Sequence, residues 1–517
     1  MHDTSLNPWS RSAPLVTECE ASCAPIDALR RLGTQGNALL ESRDMPEARG
    51  GRSLLFTRPL VRLTIRGQLA RFEAIEPAAQ PLLADVGTRL GEPRFSGRTL
   101  TTRHRASPPP AAWSDQERLL APSALDAVRV LASRLADVPS RAWIPAGVAG
   151  AFSYELVDHF EELPPRPHDP LDEPDANFVL ASDALIWDHD RALVQVISRG
   201  LPSEPAETTR ARHEALLDLV HTPPGIASAT ASVHTSQLAD DVDDAFVAGV
   251  HFLLQRIAAG DVFQTVLSRA FEIESEASSL AVYAALCAAN PSPYMFHLDL
   301  GDGALLGASP ETFLRVHGKN LEVHPIAGTV PRGRKADGRI DQELDGRLAL
   351  GLLLDPKEQA EHAMLLDLAR NDVARVAATG TRRVVRQFEI EKFQHVQHLV
   401  SVVVGELRPG LDALHAYRAA ANPGTLTGAP KVKAMELIRR TEQTARGFYG
   451  GACGYLLADG TFDSCIVIRS LRHKSGRFFG RAGAGIVTSS EPERELRETM
   501  HKSRSVLEAV ATAGATQ

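Results

Sequence analysis

The sequence predicts an α+β fold in which mixed and antiparallel β-sheets pack together with helices outside them. Three observations point that way. Residues 53–56, 61–65 and 68–75 are short apolar or alternating runs separated by glycine, proline and arginine, the pattern of antiparallel strands. Beyond residue 240, glycine-punctuated strands alternate with helices to the end of the chain. No segment recurs at a solenoid or propeller period.

In chain order, residues 1–20 read as a loose lead, 26–32 as a short helix and 37–42 as a strand. Residues 94–118, with the run SPPPAAW, read as a polar, proline-rich surface loop. Residues 123–135 read as a helix with apolar residues at Leu125, Val128, Val130, Leu131 and Leu135. The small apolar run 147–154 leads into a helix-like LVDHF. Residues 177–187 and 192–197 read as two strands, and 207–220 as a helix. Residues 221–240, rich in Pro, Ser, Thr and Ala and without periodicity, read as a linker between a first part (1–220) and a second part (241–517), the two interlocked. Residues 243–259 open the second part as an amphipathic helix.

Composition narrows the function classes. With 517 residues the chain can bury a large core, and 44% hydrophobic with 23% charged residues is ordinary for a globular protein. A net charge of -8 argues against a nucleic-acid or membrane-surface stripe. The five cysteines include no CxxC pair, so neither a disulfide framework nor a zinc knuckle is predicted. No run reaches the ~18 apolar residues of a membrane span, and no signal-peptide core opens the chain, so the expected compartment is the cytoplasm.

The chemistry-bearing residues concentrate in the second part. In 478–504 an extended run reaches Gly483-Ala484-Gly485, read as a turn at which a ligand can approach bare backbone, and a helix follows with Glu493, Glu495, Glu498 and Lys502. Residues 355–372 form a helix with Pro356 in its first turn and Glu358 and Glu361 on one face. Alone that face reads as solvated acid; with Glu495 and Glu498 it reads as two helices offering carboxylates to one divalent cation, which suits magnesium. Glu311 follows a proline between apolar runs and reads either as a buried acid of raised pKa or as a helix-start glutamate. Gly328-Thr329 offers an N–H and a hydroxyl to an anion. His398 opens an apolar run, where a histidine is a core residue or a catalyst. Arg469, inside CIVIRS, calls for an anionic partner. Gln264, Val266 and Ser268 share one face of a strand.

The motifs FQTVLSR, NPSPYMF, GASPE, PIAGTVPRGR, EHAMLLDLARND, HLVSVVVGEL, GTLTGAPKVKAMELI, GFYGGACGY, DSCIVIRS and RAGAGIV occur in order across residues 243–510. By them the chain resembles the chorismate-utilising enzymes, and among these the large, aminase components of anthranilate synthases. The first part is similar chiefly through LLES (39–42) and GVAGAFSYELVDHFEELP. The resemblance implies a β-sandwich core flanked by helices, and conversion of chorismate and ammonia to anthranilate and pyruvate in tryptophan biosynthesis. It places chorismate on Gly328, Thr329, Tyr449, Arg469, Gly483, Ala484, Gly485 and Lys502, and magnesium on Glu361 and Glu498. It makes Glu311 the acid at the departing C4 hydroxyl and gives His398 the later steps.

It also implies a separate glutamine amidotransferase small subunit that supplies ammonia, hence a hetero-oligomer. L-tryptophan is the implied feedback inhibitor, bound by Ser42, Pro293, Tyr294 and Met295. The residues that follow Ser42, RDMPEARGGRSLLF, depart from the more widespread family pattern. Gln264 and Ala327 stand where other members carry a water-activating or covalent lysine, and both point to anthranilate. Aminodeoxychorismate or aminodeoxyisochorismate synthase is the enzyme alternative, and a degenerate tryptophan-binding regulatory subunit the non-enzyme one.

Overall fold

The computed structural model of the chain describes residues 13–43, 51–104, 108–110, 112–135, 141–223 and 243–515. Two long strands, Arg52–Arg66 and Ala176–Asp188, pair antiparallel and carry the architecture. Midway, Arg58 adopts φ 54° and the pairing slips between Pro59 and Val61. Proline has no N–H to give the ladder, so the strand bends there. The bend lets each strand serve two sheets.

Residues 52–57 and 183–188 belong to the first sheet, which runs outward through Ala38–Glu41, Tyr294–Asp299, Ala304–Ser309, Ser470–Lys474 and Arg477–Ile486 to Gln264–Glu274. The other ends of the two strands belong to the second sheet, through Gly147–Phe152, Ala452–Leu457, Phe462–Ile466, Thr312–His317 and Asn320–Val323 to Val396–Glu406. Every pairing between these strands is antiparallel. Both sheets mix strands from either side of residue 240.

Strand alternation sends successive side chains to opposite faces. In the first sheet Ala38, Leu54, Phe56 and Phe296 meet Ala149, Ala151, Leu457 and Cys465 of the second, making the interior of a sandwich. Leu39, Leu55, Leu185 and Leu306 face the other way, onto the helices Ser279–Ala289 and Pro492–Ala515. The outer face of the second sheet packs Phe72, Val148, Leu314 and Val403 against the helices Gln80–Leu90, Leu125–Ala132, Pro356–Ala374 and Ala413–Ala420.

Several local readings are corrected. Residues 94–118 are not a bare loop: Arg94–Ser96 and Thr99–Arg103 pair around Gly97, which turns at φ 57°, and Thr99–Arg103 extends the sheet beside Leu69–Ala74. The helix Asp115–Leu120 then starts from a capping box of Ser114 and Glu117. Within the lead, Leu15–Glu20 is a strand paired with Leu193–Ser198. LVDHF lies in the 3₁₀ helix Tyr154–His159, and the helix expected over 123–135 ends at Ala132 before a 3₁₀ turn. Gly483, Ala484 and Gly485 are not a turn but the end of the strand Arg477–Ile486. The linker reading falls almost wholly on residues 224–242, outside the described residues, as do 44–50 after Ser42.

Candidate active site

The floor of the site is the strand pair Gln264–Glu274 and Arg477–Ile486, where Val266 faces Gly485 and Ser268 faces Gly483. A Cβ on Gly483 would stand 2.9 Å from the Tyr449 hydroxyl, and one on Gly485 2.9 Å from the Gln264 amide nitrogen. Glycine at both positions therefore lets Tyr449 and Gln264 pack directly on the strand backbone; Gly483 and Ala484 are buried and Gly485 is half-buried. Lys502, on the helix Pro492–Ala515, donates from Nζ to the Gly483 carbonyl (3.0 Å) and pairs with Glu498 at 2.6 Å. Arg469 donates to the Lys502 carbonyl and has φ 51°. A non-glycine residue in that region costs roughly 1–2 kcal/mol, a strain found where function fixes the backbone. Burial pulls the Arg469 pKa down, while Tyr449 and Glu498 oppose the shift. Among the described residues no carboxylate forms an ion pair with Arg469, so an anion has a place beside it.

The opposite wall is the strand Ile326–Pro331, paired with Val396–Glu406 and bulged between Ala327 and Thr329. The bulge residue is Gly328, at φ 63°. His398 Nδ1 lies 3.3 Å from the Gly328 carbonyl and 3.0 Å from Thr329 Oγ1. A carbonyl only accepts, so Nδ1 carries the proton and Nε2 keeps its lone pair. Nε2 is buried with no partner. Burial holds the His398 pKa down at about 4, with the Arg469 charge adding to the effect and the Gly328 carbonyl opposing it. The ring is neutral at physiological pH.

Glu311 sits between the strands Ala304–Ser309 and Thr312–His317, not at a helix start. It is 7% exposed, and burial raises its pKa to about 8 against the pull of Thr425 and Lys502. At neutral pH it holds a proton.

The helix Pro356–Ala374 forms the rim. Asp355 caps it by accepting from the N–H groups of Lys357 and Glu358, with Pro356 in the first turn. Leu365, Leu366, Ala369 and Val373 bury its inner face, which leaves Glu358 and Glu361 toward the helix Pro492–Ala515. Burial and then Glu358 and Glu498 raise the Glu361 pKa, against Lys357. A Cβ on Gly328 would meet Glu358 Oε2 at 2.7 Å. Glu358, Glu361 and Glu498 influence one another's titration, while Glu361 pairs with Lys357 at 3.6 Å. Among the described residues no group of three or more His, Cys, Asp or Glu side chains is arranged to hold a metal ion, so a cation here would rest on one or two carboxylates with its other positions left to ligand and water, which magnesium accepts. Glu495 is 3% exposed and bonded to Ser490, so Glu498 is the more open of that pair.

A second pocket, of about 300 Å³, is lined by Ser42, Tyr294 and Met295 with Glu41, Arg315 and Asp463. The Tyr294 hydroxyl donates to Asp463 Oδ1 (2.8 Å) and accepts from Arg315 Nε (2.9 Å). Buried Pro293 leads into this strand. A cavity of about 610 Å³ includes Tyr449 in its lining but neither Glu311 nor His398.

Thr425 and Arg446 take part in this geometry without having been assigned a role from the sequence. Thr425 stood inside the motif GTLTGAPKVKAMELI, but Glu311, its neighbour here, is distant in sequence. Arg446, which lies near the Tyr449 ring, precedes the motif GFYGGACGY by one residue and carried no local signal.

The sequence profile described as chorismate binding enzyme matches residues 99–508, most of the chain, and places it in that class. Anthranilate synthase component 1 of Escherichia coli (strain K12) is 40% identical over 481 residues, 92% of this chain and 92% of that protein. The crystal structure of anthranilate synthase component I from Streptococcus pneumoniae TIGR4 superposes with a TM-score of 0.71 at 28% identity, covering 94% of this chain and 97% of that one. The menaquinone-specific isochorismate synthase of Escherichia coli shares the fold, with a TM-score of 0.66 at 17% identity over 97% of this chain and 96% of that one. The chain belongs to the anthranilate synthase component 1 family.

Proposed function

We propose that this chain is the large subunit of an anthranilate synthase, converting chorismate and ammonia to anthranilate and pyruvate at the start of tryptophan biosynthesis. One observation supports the reading: burial leaves Glu311 protonated and His398 neutral with an unpartnered Nε2, the states that an acid and a base of this reaction need.

The carboxylates of chorismate are met by Arg469, Lys502, the Thr329 hydroxyl, the Tyr449 hydroxyl and the backbone at Gly328, Gly483, Ala484 and Gly485. Glu361 and Glu498 would hold magnesium, with Glu358 beside them, and a bound ion would neutralise substrate carboxylate charge. Glu311 gives its proton to the C4 hydroxyl, which leaves as water while ammonia adds at C2. Gln264, beside Gly485, is an amide and takes no proton, as a nucleophile that is already ammonia requires. The surplus proton of the added ammonia returns Glu311 to its acid form. His398 Nε2 then accepts the C2 proton as the C3–O bond breaks. The departing enolpyruvyl group takes up a proton at its methylene carbon to become pyruvate, and the ring becomes aromatic. Ammonia comes from a glutamine amidotransferase small subunit, and free ammonium substitutes for it.

The pocket at Ser42 presents Glu41 and Asp463 near Arg315, with apolar Met295, Leu54 and Phe296 around them. An amino acid with a large apolar side chain suits it, and tryptophan as feedback inhibitor is our assignment. No helix among the described residues is long and apolar enough to cross a membrane, and we place the enzyme in the cytoplasm.

Pure chain incubated with chorismate, ammonium and magnesium should produce anthranilate and pyruvate in equal amounts. A chelator should stop turnover and added magnesium restore it. Aminodeoxychorismate without pyruvate would overturn the reading.

A further inference from the structure

Arg446 lies on no surface of the substrate space, yet its guanidinium ties together three of the walls that surround it. It is 5% exposed. Nε donates to Glu442 Oε2 (2.9 Å) and Nη2 to Glu442 Oε1 (2.6 Å), a bidentate pair. The remaining donors go to main chain: Nη2 to the Val266 carbonyl (2.8 Å) and Nη1 to the Leu426 carbonyl (2.6 Å). Val266 faces Gly485 across the floor, and Leu426 ends the turn whose Thr425 lies beside Glu311. The Arg446 guanidinium also stacks near Tyr449, 5.9 Å from the ring centre, and near Tyr154, 4.6 Å away. Glu442 in turn accepts from the Ser268 N–H and hydroxyl and from Arg481. Behind Tyr449 and Arg446 is the 610 Å³ cavity rather than packed core.

We infer that Arg446 is a positioning residue for the reaction: it holds Tyr449 and the Gly424–Leu426 turn in register with the Gly485 floor, against relaxation into the cavity behind them. Lysine keeps the charge but has neither the planar fork nor the stacking face, so it cannot hold all these partners at once. The inference rests on the proposed chorismate amination.

The test is Arg446→Lys in the full chain, assayed with chorismate, ammonium and magnesium beside the parent. A misplacement near 1 Å costs about a hundredfold in rate, so kcat should fall by about that factor, and KM for chorismate should rise because Tyr449 and the Gly485 floor also meet its carboxylates. Loosening the turn beside Glu311 also admits water to its carboxyl, so the alkaline limb of kcat/KM should move to lower pH. Parental kcat in the variant, or a fall in kcat with an unmoved alkaline limb, overturns the inference. Should the variant not fold, Glu442→Gln weakens the same pair and must show the same changes. If neither variant folds, the role is structural and the inference falls. A parent inert toward chorismate refutes the proposed function instead.

Discussion

At the scale of single residues, the proposed reaction calls on two groups displaced from their ordinary titration ranges by burial, in directions that suit opposite duties. Glu311 serves as an acid only while protonated, below about 8, and His398 as a base only while neutral, above about 4. The kcat/KM profile of the free enzyme should therefore fall on the acid side near 4 and on the alkaline side near 8. An alkaline limb near 4.5 would mean that the Glu311 carboxyl is not raised in the free enzyme, and an alkaline limb near 8 that persists in Glu311→Gln would mean that Glu311 is not the acid. Glu311→Gln keeps shape and neutrality but has no proton to give. It should lower kcat about 10²–10⁴-fold, the usual worth of general acid catalysis, with the fold retained by circular dichroism. Burial is a tertiary fact, which is why the sequence left Glu311 open between acid and helix-start glutamate. The proline before it and the apolar runs around it were the only local signals.

Among the elements, the bulged strand Ile326–Pro331 and the helix Gln342–Leu354 shape the anion wall. Gly328→Ala puts a Cβ 2.6 Å from Leu352 and 2.7 Å from Glu358, at a φ that L-residues avoid. It should lower kcat/KM by about tenfold or more, because Glu358 and the His398 partner carbonyl move together; equal kcat/KM would remove the bulge from the substrate wall. Asp345, wholly buried in that helix, accepts from Arg332, Lys392, Gln397 and the Gly333 N–H. The Arg332 hydrogen bond, with Lys392, holds its carboxyl well below the usual range despite burial. A lowered folded pKa contributes stability above the unfolded value, near 4, that is lost as pH falls further. Asp345→Ala strands Arg332 and should cost about 3–5 kcal/mol in denaturant unfolding at neutral pH. Helix Pro356–Ala374 was legible because its cap, its proline and its carboxylate spacing are all local. Gly483 to Gly485 misread as a turn because small residues suit a strand that carries a ligand just as well. Thr99–Arg103 was hidden because its neighbour Arg94–Ser96 is wholly exposed and shows no alternation.

For the molecule as a whole, the decisive contacts are those between strands far apart in sequence. Ala38–Glu41 pairs with Tyr294–Asp299, and Gly147–Phe152 with Ala452–Leu457, so the sandwich is closed by seams joining the two parts. Strand-forming runs were legible one by one, but no local pattern tells a strand which partner it meets some hundreds of residues away. The pocket at Ser42 straddles one of those seams, with Ser42 following Glu41 on one side and Tyr294 and Met295 on the other. A ligand there bears on both parts at once, and the Tyr294 hydroxyl also lies 3.2 Å from Thr312 Oγ1, next in sequence to Glu311. Ser42→Phe fills a pocket of about 300 Å³ with a ring while leaving Glu311 and His398, which do not line it, untouched. Anthranilate formation without tryptophan should stay close to the parent, and the tryptophan concentration for half-inhibition should rise by about tenfold or more, the worth of 1.4 kcal/mol in binding. Equilibrium dialysis should show the same loss of affinity. Inhibition that matches the parent would place the effector elsewhere, and a parallel loss of basal turnover would mean the seam is needed for catalysis itself.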